Sequence, residues 1–286
     1  MSNIKKIYKY NIKYLNKNYD VLTIIPNNRI SFNKISYNKF KLIGLKYLEK
    51  IKKIKIPKIP KISNFCTIFI DDRKDLFFEF IIRNTIIKLG NNISHYIICT
   101  NYNYNFMKNI CENISNNINI IKLDESIKIN SQNNYSNLLK IYSFWDNFKA
   151  SKALIYQSDT FIFNGKLLSK FMEYDYIGAP WPHSPHNLFI GNGGLSIRNL
   201  KVMKEICEIQ SKKKLINIKT INEDLFYSFY LKKLNKKLPN IIKAIQFSLE
   251  NICLLNESEY FGGHQFWFCL QNWETIIEKN IEKLLN

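Results

Sequence analysis

Glycine is scarce in this sequence: nine residues among 286, about half the usual frequency of roughly 7%. Arginine is scarcer still, since only Arg29, Arg73, Arg83 and Arg198 stand among the 42 basic side chains. Base readout favours the planar, two-pronged guanidinium, so a net charge of +19 carried almost wholly by lysine argues against specific nucleic-acid recognition. The chain is also crowded with Asn and Ile, and Lys, Asn and Ile together are what AT-rich coding sequence yields. Codon bias therefore accounts for most of the charge, and the rest can help to hold a polyanion or a phosphorylated ligand. No run of about 18 apolar residues lacks a charged or amide side chain, which argues against a transmembrane helix. The start, MSNIKKIYKYNIKYLNKNYD, has no apolar segment with a small-residue cleavage site, so we expect no secretory signal and a cytoplasmic protein. The six cysteines form no CxxC pair and sit in runs such as FCTIFI and YIICT; they read as buried free thiols in a reducing compartment. With 46% hydrophobic and 14% aromatic residues, disorder is excluded and a sizeable core is expected.

Residues 1–60 are rich in Lys, Asn and Tyr and end in KIKIPKIPKI, where the prolines break helix. They read as an N-terminal extension, with a hairpin around VLTII and a helix over FKLIGLKYLEKI, joined to a main domain over 61–286. Within that domain strand and helix patterns alternate: strands at 65–71, 95–101, 118–123 and 152–159, and helices at 75–90, after 101, and at 136–148. Strands apolar on both faces, alternating with helices, predict an α/β domain with a mainly parallel central sheet flanked by helices. Ligands of such sheets bind beyond the carboxyl ends of the strands. This points to Asp71, Asp72 and Arg73 after the first of these strands, and to Gln157, Ser158 and Asp159 after the fourth.

Six of the nine glycines fall in three motifs, YDYIGAPW, IGNGGLSIR and EYFGGHQFW. A chain that otherwise avoids glycine keeps it where backbone approaches a ligand closely or turns tightly. The carboxylate of Asp159 can hold a divalent cation that neutralises a diphosphate, although an Asp after a strand is more often a turn residue or helix cap. Glu223 and Asp224 open a helix in INEDLFYSFYLKKL, where acidic side chains also serve simply to offset the helix dipole. Among the four histidines His264, directly after two glycines, is the best functional candidate.

These pieces, in this order, resemble a glycosyltransferase-like domain family of unknown function with members in large DNA viruses, fungi and plants. The resemblance covers about residues 62–270 and is carried by YSNLLKIYSFW, ALIYQSDTFIF, EYDYIGAPW, GNGGLSIRNLKVM, NEDLFYSF and FGGHQFW. It implies a GT-A-like domain (the nucleotide-diphospho-sugar transferase fold) that moves a sugar from a nucleotide-sugar donor to a hydroxyl of a glycan or protein acceptor, with inversion. It also implies a divalent cation, Mn²⁺ or Mg²⁺, held by Asp159 of a DxD-type motif and by His264. Gln157 stands where many such enzymes carry their first Asp; it can bond a ribose hydroxyl but brings no charge. Arg73, with Asp71 and Ser158, would sit at the donor nucleotide. Asn192, Gly193 and Gly194 would floor the sugar and acceptor site, and Trp181 would stack on a sugar. Asp224 would be the general base, with Glu223 beside it. Two alternatives stay open: a basic nucleic-acid-binding protein without activity, and a nucleotidyltransferase on a related fold.

Overall fold

The computed structural model describes residues 5–181, 191–217, 221–257 and 259–285. Strands β1 (Lys5–Tyr14) and β2 (Lys17–Pro26) form a hairpin, turned at Leu15 and Asn16 with φ of 46° and 61°, the two left-handed positions of a tight two-residue turn. Helix α1 spans Arg29–Lys52 and is capped by the Asn28 side chain, which accepts from Ser31 N. It begins eleven residues before FKLIGLKYLEKI because this cap satisfies a first-turn donor.

The chain continues as β3 (Phe65–Ile70), α2 (Phe77–Leu89), β4 (Ser94–Cys99), α3 (Tyr104–Ile114), β5 (Asn119–Lys122), α4 (Gln132–Leu139), α5 (Tyr142–Trp145), β6 (Lys152–Tyr156), β7 (Thr160–Ile162) and β8 (Tyr176–Ala179). Then come β9 (Asn192–Asn199), α6 (Leu200–Lys213), α7 (Glu223–Lys233), α8 (Ile241–Phe247), β10 (Ser248–Leu249), β11 (Cys253–Leu254), β12 (Gly262–His264) and α9 (Trp273–Leu285). The six-stranded sheet runs in the order β5-β4-β3-β6-β9-β8. Its first four strands are parallel, and β9 is antiparallel to both its neighbours.

Strand periodicity explains the layers. Phe65, Phe69, Ile97, Leu154 and Tyr156 enter one core with Phe40, Phe77, Phe80 and Ile277. Their neighbours Cys66, Ile68, Ile98, Ala153 and Ile155 enter a second core with Leu138, Trp145, Met203 and Tyr227. Alternate side chains thus bury both faces of the sheet under helices, giving a three-layer α/β fold. The hairpin and α1 belong to the first of these cores through Val21, Leu22, Phe32 and Phe40, and β2 also pairs with β11. All six cysteines are buried free thiols. Among the described residues no helix is long and apolar enough to cross a membrane.

The helix expected at 136–148 is two helices, broken at Lys140 and Ile141. The Leu139 carbonyl is taken by the Trp145 indole (3.0 Å) and the Tyr227 hydroxyl (2.5 Å), and Lys140 reaches the Ile221 carbonyl at 2.7 Å. Side chains thus claim the carbonyl that a continuous helix would have used. A small sheet, β7-β12-β10, completes the fold; its register sets His264 opposite Thr160, next to the end of the QSD segment.

Candidate active site

A cavity of about 840 Å³ opens beyond the carboxyl ends of β3 and β6. The end of β3 supplies Asp71–Arg73, that of β6 Gln157–Asp159, the start of β9 Asn192–Gly194, the start of α7 Glu223 and Asp224, and β12 supplies His264. The antiparallel direction of β9 brings its first residues to the same sheet edge as the last residues of β3 and β6.

At the centre, the register of the small sheet brings His264 Nε2 to 3.3 Å from Asp159 Oδ1. On the other side of the ring, Nδ1 lies 3.7 Å from Glu250 Oε2. Among the described residues neither ring nitrogen, nor either of these carboxylate oxygens, has a well-formed hydrogen bond, and all four atoms are buried. Burial alone would push the imidazole down, but Asp159 and Glu250 together hold it up at about 10; a cation bound at Nε2 would have to displace that proton. Burial would likewise push the Asp159 carboxyl up, yet His264 and the Gln265 amide, 2.9 Å from Oδ2, keep it below its ordinary range.

Among the described residues no group of three or more His, Cys, Asp or Glu side chains stands ready to hold a metal ion. The pair nevertheless fits a cation completed by a ligand. One carboxylate oxygen and one imidazole nitrogen, both buried and lacking hydrogen bonds, suit Mn²⁺, and a second carboxylate behind the ring is the usual means of orienting a metal-binding histidine. Glu250 is itself held by the Asn192 amide at 3.2 Å.

Gly194 makes room for this arrangement, because a Cβ there would lie 2.5 Å from Cδ2 and Nε2 of His264. Gly194→Ala is therefore expected to force the imidazole away from Asp159, at a cost of about 1–3 kcal/mol in stability. A denaturant titration measures this cost, and unchanged stability would show that the ring yields freely.

Arg73 is fixed by Asp71 through two side-chain contacts, Nε to Oδ1 at 2.9 Å and Nη2 to Oδ2 at 2.6 Å. The Asp71 carboxylate raises the guanidinium's proton affinity further. Its Nη2 also donates to Ser158 Oγ at 2.8 Å, and the Tyr37 hydroxyl reaches the same oxygen at 2.8 Å. Asp71 is thereby spent on orienting Arg73, whose side chain remains 52% exposed toward the cavity. Burial pushes the Tyr37 phenol up to about 12, so it stays a neutral donor.

Adjacent in sequence, Glu223 and Asp224 have different surroundings. Glu223 Oε1 accepts from Arg198 Nη2 at 2.9 Å, and Arg198 is completely buried among Trp145, Tyr176 and Tyr227. Gly193 leaves the space for this pair, since a Cβ there would collide with Glu223 Oε1 and Arg198 Nη2. Asp224 forms no ion pair among the described residues. Its carboxylate accepts only from Leu225 N at 2.8 Å among the hydrogen bonds described, and burial, with the charge of Glu223, pushes it up to about 7. A carboxyl near neutrality at a cavity wall can both take and release a proton at working pH.

Of the residues singled out in the sequence, Asp71, Arg73, Gln157, Ser158, Asp159, Asn192, Gly193, Gly194, Glu223, Asp224 and His264 all line this one cavity. Trp181 does not; it is half-buried just past β8. His95 is buried against Thr67 Oγ1 at 2.7 Å, and His183 and His186 lie outside the described residues. Sequence reasoning missed Glu250, Gln265 and the α1 wall. Glu250 carries no pattern of its own, whereas Gln265 directly follows His264 in EYFGGHQFW, and Arg29, Asn33 and Tyr37 recur every four residues, a polar stripe on one helical face.

No curated protein matches the sequence. In structure the chain is similar to the apo form of the glycosyltransferase GlyE of Streptococcus pneumoniae TIGR4, with 13% identity and a TM-score of 0.45 over 78% of this chain and 64% of that one. It is similar to the mannosyltransferase PcManGT from Pyrobaculum calidifontis, solved in complex with GDP-Man and Mn²⁺, with 10% identity and a TM-score of 0.44 over 73% and 66%. It is similar too to mouse xyloside xylosyltransferase 1, with 9% identity and a TM-score of 0.46 over 71% and 96%. The chain thus spans less than two thirds of the length of the first two. The family model described as a protein of unknown function (DUF5672) matches residues 117–264, a stretch that holds Gln157–Asp159, the β9 glycines, Glu223, Asp224 and His264, and the chain belongs to that family.

Proposed function

We infer that this chain is a nucleotide-sugar-dependent glycosyltransferase of the GT-A type, transferring a sugar to an acceptor hydroxyl with inversion. One observation carries the reading: a buried carboxylate–imidazole pair and a carboxyl near neutrality share a single cavity at the carboxyl edge of the sheet. Asp159 and His264 would hold a divalent cation, Mn²⁺ or Mg²⁺, which when bound would neutralise charge on a diphosphate. Arg73, preset by Asp71, would donate to the nucleotide, and the Gln157 amide would bond a ribose hydroxyl. Asn192, Gly193 and Gly194 would floor the sugar. Asp224 takes the proton of the acceptor hydroxyl as that oxygen bonds to the anomeric carbon; the bond to the diphosphate breaks, and its electron pair leaves with the diphosphate oxygen. An attacking phosphate would need no such base, so Asp224 favours sugar transfer over nucleotidyl transfer.

Screening nucleotide-sugars for slow Mn²⁺-dependent hydrolysis tests the reading, and no turnover or binding of any donor would overturn it. Asp159→Asn and His264→Ala are each expected to weaken binding of the donor found, in Mn²⁺ buffer, by about tenfold or more, with the fold intact by circular dichroism. Equal activity with and without a chelator would remove the cation from the mechanism.

A further inference from the structure

We propose that Arg29 and Lys34 of α1 form a cationic wall that binds the diphosphate of the donor, a role that rests on the reading above and deepens it. Helix α1 lies outside the family match at 117–264, yet it supplies Arg29, Asn33, Lys34 and Tyr37 to the cavity. Three of these are fastened to the Asp159–His264 end. The Arg29 guanidinium lies 3.9 Å from the Phe268 ring centre and donates to Asn251 at 2.7 Å. Asn33 accepts from the Trp267 indole at 2.8 Å, and Tyr37 donates to Ser158 at 2.8 Å. Trp267 and Phe268 follow His264 within four residues, and Ser158 directly precedes Asp159. The wall therefore borders the place where a diphosphate would meet Asp159 and His264.

Charge in the cavity points the same way. Arg73 is paired with Asp71, and His264 faces Asp159 and Glu250. Arg198, buried behind the wall of α7, is paired with Glu223. Arg29 and Lys34 are exposed cavity cations that form no ion pair among the described residues. Gln157 brings no charge to the end of β6, so Asp159 and His264 are the ionisable donors facing one another there, and a cation bound by two protein groups is held less firmly than one bound by three. Two unspent cations on the neighbouring helix supply the positive potential that a diphosphate otherwise lacks. They do so without an ion pair having to break first.

The test is calorimetric titration of the full chain with UDP, GDP, uridine and guanosine, in chelator and in Mn²⁺. The variants are the double variant Arg29→Gln/Lys34→Gln and, as a control on the same helix, Lys39→Gln, whose amine pairs with Glu274 at 2.8 Å. In chelator the double variant is expected to bind the diphosphate about tenfold more weakly, with nucleoside affinity unchanged and Lys39→Gln like wild type. Diphosphate affinity unchanged in the double variant overturns the wall and leaves the donor reading standing. Equal losses for nucleoside and diphosphate also overturn it, because that pattern marks general damage to the cavity. A wild-type chain that binds neither nucleoside diphosphate in either buffer overturns the wall, and the donor reading falls with it when the nucleotide-sugar screen finds no donor either.

Discussion

Asp224→Asn is expected to lower sugar transfer by about 10²–10⁴-fold while binding of the donor persists. The substitution is nearly isosteric and keeps an oxygen able to accept from Leu225 N, as Asp224 does at 2.8 Å; only the basicity goes. In the wild type the rate should rise with pH through about 7, where burial and the charge of Glu223 set the Asp224 carboxyl, because only the ionised form can take the acceptor's proton. Stability should run the other way. The folded-state value lies above the unfolded 3.8, so the folded protein binds the extra proton, and the stabilisation this gives is complete below about pH 4 and lost as pH rises through 7. Asp224→Asn should therefore gain stability over the wild type progressively from pH 4 to pH 8. Initial-rate profiles and denaturant titrations at both ends of that range measure the two effects. Near-full transfer by Asp224→Asn would move the base elsewhere in the cavity.

Much of the scaffold is legible in the sequence for a simple physical reason. Strands such as FCTIFI and KALIY are buried on both faces, so they read as unbroken apolar runs. The polar triplets that end them, Asp71–Arg73 and Gln157–Asp159, stand out by contrast, and a parallel sheet puts both at one edge. What the residues alone do not show depends on contacts between distant segments. The meeting of His264 with Asp159, which only the family resemblance implies, depends on a three-residue strand finding β7, and strands that short leave no periodicity. The break at Lys140 comes from Trp145 and Tyr227 competing for one carbonyl, while locally SNLLKIYSFWDNF has helical spacing throughout. The polar stripe of α1 could have been found by its four-residue spacing, but nothing local says that a helix 120 residues upstream would flank Ser158. Nor does GLSIR announce that its arginine is buried.

That buried arginine sets the second large effect. Glu223→Ala is expected to destabilise the fold by about 3–5 kcal/mol, the cost of leaving a buried charge without its partner. Arg198 is wholly inaccessible, and among the described residues its other hydrogen bond is Nε to Ser196 Oγ at 3.0 Å, which cannot replace a carboxylate. Glu223 also anchors the start of α7, since its backbone N–H donates to Ser136 Oγ at 3.2 Å and that hydroxyl lies 3.3 Å from its own Oε2. Loss of the pair thus loosens the turn that carries Asp224, and transfer should fall for a structural reason. Glu223→Gln, which keeps an acceptor oxygen but drops the charge, should be milder in both respects. The double variant Arg198→Met/Glu223→Leu separates structure from chemistry. Replacing both charges by apolar side chains of similar volume is often neutral or stabilising, so it should regain most of the stability lost in Glu223→Ala, and with it part of the transfer. Denaturant titration and initial rates, measured on the same preparations, decide the matter. A double variant restored in stability yet as inactive as Asp224→Asn would place Glu223 in the chemistry itself, because a merely structural partner is replaceable by packing and a reacting carboxylate is not.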